Sequence, residues 1–283
     1  MSEININING GWRPCSMRIE LDPAMANEKT ILGFLSAGRF YEPDVAEIFA
    51  RVLREGDTVI DVGANSGFFT LLAAALVGPK GRVVSFEPDP TNIPRLRHNL
   101  EINRFEHVTL IERPAAHHHE QVSFFVNSDD HGGSALWDPA RFPGNVRSQA
   151  TPRVLNVQAT TLDTEVERLG LSRVKLLKID TEGAEYQVLV GARKLIAERQ
   201  VPFVIGELHE FGLEQLGSNQ RALRDEMAAA GYDSFMLHYS GALPRFVPRG
   251  TTIRSRNFCN VLFSSAQDVE AYWPEYVHDP LAT

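Results

Sequence analysis

An α/β fold with a mostly parallel twisted sheet and helices on both faces is predicted by three observations. From Gly56 onward, short aliphatic runs alternate with segments whose apolar residues fall at helical spacing. Several of those runs are apolar on both alternating sides, as strands covered on two faces must be. A small-residue turn, Gly63-Ala-Asn-Ser-Gly67, joins the first such strand to the first such helix, where open sheets bind their ligands.

Taken in order, Ile4, Ile6 and Ile8 alternate with period two and suit a strand added at a sheet edge. A strand is expected near Met17–Leu21. A helix follows around Pro43–Arg54, with proline in its first turn and Val45, Ile48, Phe49 and Val52 on one face. Residues 1–55 thus read as an extension, either a packing cover or a substrate lid, before a main domain over 56–283. In that domain strand Thr58–Val62 leads to helix Phe68–Val77, stopped by Gly78-Pro79. Strand Arg82–Phe86, a helix face through Ile93, Leu96 and Leu100, and strand Val108–Ile111 come next. Val174–Ile179 and Phe203–Ile205 are further strands, separated by a helix carrying Val188, Leu189, Leu195 and Ile196. A helix through Leu223 and Met227 stops at Gly231, and strands Ser234–Leu237 and Asn260–Phe263 close the chain.

Two stretches break the rhythm. Residues 117–162 form a β insertion, with strands Val122–Val126 and Val154–Val157 around a Gly/Pro-rich segment. Residues 240–257 hold four arginines and no acidic residue. Long connections in compact domains tend to carry function.

Composition narrows the class. The chain has 283 residues, 43% hydrophobic, with a formal charge of −8. A chain of this size needs no disulfide or metal staple, and its two cysteines, Cys15 and Cys259, are too few for either framework. The acidic balance argues against nucleic acid as the main partner. With no signal-peptide pattern and no apolar run near the ~20 residues of a membrane span, a cytoplasmic location without a membrane partner is the expectation. A homodimer is compatible with the sequence but not specified by it.

The strongest chemical signal is Val59-Ile-Asp61-Val-Gly63-Ala-Asn65-Ser-Gly67. Glycine permits close ligand approach and unusual backbone angles at such a turn. Glu87 ends the next strand, where a carboxylate can accept hydrogen bonds from both hydroxyls of a ribose. A dinucleotide fingerprint would require a third glycine, and Phe68 stands in its place. The turn is instead similar to the S-adenosylmethionine loop of class I methyltransferases, with Asn65 for the usual middle glycine.

The wider pattern resembles the FkbM methyltransferase family. It comprises Asp61-Val-Gly-Ala-Asn-Ser-Gly67, Phe86-Glu-Pro-Asp-Pro90, Asn99 with Asn103, Gly133-Ser-Ala-Leu136, Thr161-Leu-Asp163 and Lys178-Ile-Asp-Thr-Glu-Gly-Ala-Glu185. One departure is His117-His-His-Glu120, where the family often has a polar turn containing Asp. The resemblance implies a Rossmann-like class I fold and methyl transfer from S-adenosylmethionine, commonly to hydroxyls of sugars or polyketide-like natural products. It implies a cofactor-binding set of Asp61, Gly63, Ala64, Asn65, Gly67, Phe68, Glu87, Pro88 and Asp180.

Asp180 ends a buried strand beside the expected binding crevice, so it needs a partner and is a candidate base or acceptor-orienting group. Glu207 and His209, two apart, share a face if their strand remains extended, and a histidine near neutrality can take a proton from a hydroxyl. Asp180, His209 and Glu207 are therefore the catalytic candidates. Glu182, Ser134 and Arg245 are the candidates for holding a small-molecule acceptor. Asp180, Glu182, Glu207 and His209 are chemically able to hold magnesium, but carboxylates at strand ends are common without metal, and a metal-free reading is preferred. His117, His118 and His119 cannot easily converge on one ion and read as a solvated turn. An N-methyltransferase, a nicotinamide-dependent oxidoreductase and a non-catalytic adenosylmethionine-binding protein are the rival readings.

Overall fold

The computed structural model describes residues 1–9, 14–198, 201–238, 242–254 and 258–276. The chain opens with a hairpin of β1 (Ser2–Asn9) and β2 (Pro14–Leu21), then α1 (Ala26–Ser36) and α2 (Pro43–Val52). The core follows as β3 (Thr58–Val62), α3 (Phe68–Val77), β4 (Arg82–Phe86), α4 (Asn92–Asn103) and β5 (Val108–Ile111). An inserted ribbon, β6 (Gln121–Val126) and β7 (Arg153–Gln158), flanks a loop with the short α5 (Val146–Ala150). Then come α6 (Leu162–Arg168), β8 (Leu176–Ile179), α7 (Glu185–Val190), α8 (Arg193–Ala197), β9 (Phe203–His209), α9 (Glu210–Gln215) and α10 (Gln220–Ala229). The last elements are β10 (Asp233–His238), β11 (Ala242–Val247), β12 (Phe258–Ser264) and α11 (Ala266–Tyr272).

The central sheet has eight strands in the order β11-β10-β12-β9-β8-β3-β4-β5. Its half from β9 to β5 is parallel, whereas β12, β10 and β11 each run antiparallel to their neighbours. The strand order reverses between β3 and β8, which opens a crevice at their carboxyl ends. This is the Rossmann-like arrangement of class I methyltransferases. One core packs the hairpin and α1, α2, α3 and α11 on one face of the sheet, and the other packs α7, α8 and α10 on the opposite face. All ten residues of α3 are buried, because the hairpin and α2 cover the side that a surface helix would expose. No helix among the described residues is long and apolar enough to cross a membrane.

Three features differ from the sequence reading. The Ile4-Ile6-Ile8 strand joins no edge of the central sheet; it pairs with β2 alone, and β2 lies across α3 and α4. The free edge of β2 is satisfied by side chains: Asn103 accepts from the Arg18 amide (2.7 Å) and donates to its carbonyl (2.7 Å). Asn99, one turn earlier, does the same for Glu20 at 2.8 and 3.3 Å. Two asparagines at i and i+4 on α4 therefore replace a neighbouring strand, since every other residue of an edge presents its N–H and C=O outward. The single helix expected over 188–196 is two, α7 and α8, broken at Gly191. A Cβ at Gly191 would lie 2.1 Å from the Ala116 carbonyl, so the break seats the chain against the inserted ribbon's entry. Asp163 caps the second helix through the amides of Lys194 and Leu195, both at 2.9 Å. Helix α1 escaped the sequence reading because its apolar face is interrupted by Glu28, which is fully buried against Arg95 and the Asp22 amide.

Because Ile19 is fully buried under α3 in the larger core, Ile19→Ala should cost about 2–5 kcal/mol in urea unfolding. A change below about 1 kcal/mol would mean that the hairpin is not part of the cooperative core.

Candidate functional site

A cavity of about 670 Å³ opens at the β3/β8 switch point. Its floor is the turn after β3 and its sides are the ends of β4, β8 and β9. Its roof is the loop between β6 and β7, and Tyr41 and Glu42 enter from the segment before α2.

The turn is held from below. Gly63 and Ala64 both donate to the Phe86 carbonyl at 3.0 Å, which ties the turn to the end of β4. Gly63 has φ +84°, and a Cβ there would lie 1.7 Å from the Asp180 carbonyl oxygen, so only glycine permits this approach to the end of β8. Asn65 takes a left-handed conformation, φ 54°, a region asparagine tolerates better than most residues. Its amide donates to Glu87 Oε2 at 2.6 Å, and its side-chain carbonyl accepts from Ser66 N and from Asn27 of α1. Glu87 also accepts from the Asp89 amide at 2.8 Å. Burial raises its carboxyl to a pKa of about 7. Asp89 in turn accepts from Ser134 Oγ at 2.9 Å and lies 3.4 Å from His131 Nδ1, which pins the roof loop to β4. Burial works against its charge, yet these hydrogen bonds hold its pKa below the ordinary value.

At the other end the cavity is acidic. Lys178 is 3% exposed inside β8, with Nζ 2.9 Å from Asp180 Oδ2, 3.8 Å from Asp61 Oδ1 and 4.9 Å from the centre of the Phe69 ring. Burial disfavours its charge, but the carboxylates of Asp180 and Asp61 outweigh that and keep it protonated. Glu42, Glu182 and Glu207 surround the same space. Desolvation, then repulsion from Asp180, raises all three, Glu42 to about 7 and the other two well above the carboxylate range. Glu182 is left-handed, φ 57°, and its carbonyl accepts from Trp137 Nε1 at 2.5 Å. The turn behind it is closed by two glycines: a Cβ on Gly183 would meet Gly212 at 2.3 Å, and one on Gly212 would meet His209 Nδ1 at 2.7 Å. His209 Nδ1 faces Glu182 Oε2 at 3.5 Å, and burial lowers the ring's pKa. Trp137, Phe142 and Phe211 form an aromatic wall with ring centroids 5.4 Å apart at each step, and Phe142 and Phe258 stand exposed at the rim.

Of the residues singled out from sequence, Gly63, Ala64, Asn65, Phe68, Glu87, Pro88, Ser134, Asp180, Glu182, Glu207 and His209 all line this one cavity. Asp61 lies beneath it, fully buried between Lys178 and Thr70 Oγ1, which donates at 2.6 Å. Gly67 lies behind it, packed on Leu96. Arg245 is exposed on the edge strand β11, opposite Met236, and does not line the cavity. Arg256, also in the basic stretch, lies outside the described residues. His117 pairs with Glu120 and His119 with Thr164 Oγ1, so the three consecutive histidines do not converge. Glu185, last residue of the acidic motif, is structural: its Oε1 takes the amides of Thr181 and Gly183 at the start of α7. Lys178, Glu42, Tyr41 and Trp137 were missed as site residues. Lys178 carried a readable signal, a lysine inside the otherwise apolar run Leu176-Leu-Lys-Ile179, whereas Glu42 lies 138 positions from Asp180 and carried none.

The geometry gives a cavity of small-molecule size at the switch point of a Rossmann-like sheet. The model of the methyltransferase FkbM domain matches residues 61–234, and the chain belongs to the FkbM family of S-adenosylmethionine-dependent methyltransferases. The AMB antimetabolite synthetase AmbE of Pseudomonas aeruginosa is 26% identical over 69% of this chain, which spans 10% of that protein's length. The 2-O-methyltransferase NoeI of Sinorhizobium fredii is 24% identical over 63% of this chain and 72% of its own. Among solved structures, Aeropyrum pernix fibrillarin with bound S-adenosyl-L-methionine is 14% identical, covers 75% of this chain and 68% of its own, and has a TM-score of 0.40.

The residues present fit that cofactor. The volume is within the usual range for a small-molecule site. Asn92 Oδ1 and Ser66 Oγ are buried beside the turn with no hydrogen-bond partner among the described residues. Glu87 stands at the end of β4, where a carboxylate can take paired hydroxyls. Glu87→Gln should weaken S-adenosylmethionine binding about tenfold to a hundredfold in calorimetric titration, because a charge-assisted acceptor is lost. Affinity unchanged in that variant would remove Glu87 from the cofactor site.

Proposed function

We propose that the chain transfers a methyl group to a hydroxyl of a small molecule, a sugar or a polyketide-like natural product, with His209 as the general base. The observation that carries this reading is the partly buried His209 on the cavity wall, whose pKa burial lowers and whose Nδ1 lies 3.5 Å from Glu182 Oε2. A neutral imidazole keeps one unprotonated ring nitrogen that can accept a proton. Asp180 is the weaker base because Lys178 already occupies one of its oxygens. NoeI, described as a 2-O-methyltransferase, supports hydroxyl chemistry.

When bound, S-adenosylmethionine supplies an electrophilic methyl on a sulfonium. Glu87, Asn65 and Ala64 would hold its nucleoside end, and Asp180 its amino-acid end. The aromatic wall would orient the acceptor and exclude water, which favours an aligned pair over a solvated one. His209 then removes the hydroxyl proton as the oxygen becomes nucleophilic. Residues 1–55 act in this reading as a cover that contributes Tyr41 and Glu42 to the acceptor side.

Two outcomes test the assignment. Labelled methyl from S-adenosylmethionine should enter a small, base-stable product in a host extract, and an amine-linked label would overturn hydroxyl chemistry. For that product, kcat/KM should rise with pH through a limb centred below the ordinary 6.5, because His209 works when neutral and burial lowers its pKa. In His209→Gln the limb should vanish and kcat fall about 10²–10⁴-fold with cofactor affinity retained. Undiminished turnover would exclude it as the base.

A further inference from the structure

We propose that Asp180, Glu182 and Glu207 bind a divalent cation of the magnesium or manganese kind on the acceptor side of the cavity. One oxygen from each side chain lies within 4.8 Å of the others. That span fits ligands of one ion with metal–oxygen bonds of about 2.0–2.6 Å. Two stretches of chain deliver them: the turn directly after β8, which holds Asp180 and the left-handed Glu182, and the interior of β9. The donors are all carboxylate oxygens, the set preferred by hard cations over zinc or copper.

Glu207 supplies an independent reason to expect an occupant. It is 6% exposed, lines the cavity, and its Oε2 has no hydrogen-bond partner among the described residues. A buried carboxylate oxygen left unpaired is costly, and no neighbouring donor among the described residues reaches it. Asn260, opposite it on β12, turns its amide to Asp44 at 3.4 Å. The buried ammonium of Lys178 is engaged by Asp180 and Asp61. A cation among the three carboxylates satisfies the orphaned oxygen and offsets their mutual repulsion together.

Three protein ligands leave the remaining coordination positions to water or to oxygens of the acceptor. On the hydroxyl-methylation reading, an acceptor oxygen held there is made more acidic, easing its deprotonation by His209. The metal site itself does not depend on that reading.

The metal-stripped full chain, without cofactor, is titrated with Mn²⁺ while the free ion is followed by electron paramagnetic resonance. The expected result is one saturable site, weakened at least about tenfold in Glu207→Gln and likewise in Glu182→Gln. S-adenosylmethionine affinity, measured on the same samples, shows that the cavity is folded. No saturable Mn²⁺ binding up to about 10 mM by protein that binds S-adenosylmethionine overturns the proposal. So does binding of equal strength in both folded variants, and so does a cavity that ignores Mn²⁺ yet takes up an alkylammonium ion. Mn²⁺ binding lost in the variants supports the site whatever the acceptor proves to be.

Discussion

Lys178 is the interaction on which the site is built. An ammonium inside a four-residue strand whose every residue is buried is tolerated only with charged partners. Asp61 and Asp180, ending the two strands that flank the switch point, are those partners. Their shared cation draws the end of β3 to the end of β8, and Gly63 lets the backbone follow. The consequence is an excess of carboxylate. With Lys178 engaged, Glu42, Glu182 and Glu207 face the cavity without a cation of their own among the described residues, and each resists ionisation. Such a cavity is poised for positively charged contents, which suits a sulfonium cofactor and a metal ion alike.

The family motifs divide into chemistry and scaffolding. Glu87, Asp180, Glu182 and Ser134 face the cavity. Asn99 and Asn103 instead serve as a surrogate strand for β2, Asp163 caps α8, and Glu185 closes the turn that aims Glu182. All four side chains satisfy backbone groups that would otherwise be stranded at a strand edge or a helix start. Motif membership alone therefore does not mark a residue as catalytic.

What could be read from sequence follows the same line. The parallel core was legible because Thr58–Val62, Arg82–Phe86 and Val108–Ile111 are bounded by turn residues and carry one unambiguous pattern each. The placement of β1 was not, because period two says that a strand has two faces and nothing about which surface receives it. The cavity floor was legible because the glycine turn and Glu87 lie close together in the chain. Tyr41, Glu42 and Trp137 were not, since long-range packing brings them in from the N-terminal extension and the inserted loop. Arg245 shows the reverse: a local charge excess plain in the sequence lies at the sheet's far edge, separated from the cavity by the width of the antiparallel half.

In the proposed reaction, cofactor and acceptor meet in the crevice between β3 and β8. A crystal structure of the chain with S-adenosylhomocysteine tests it most directly. The ribose should lie against Glu87, the amino-acid arm beside Asp180 and Gly63, and the sulfur should turn toward His209. A ligand bound elsewhere, or with its sulfur directed away from the acidic end, would contradict it.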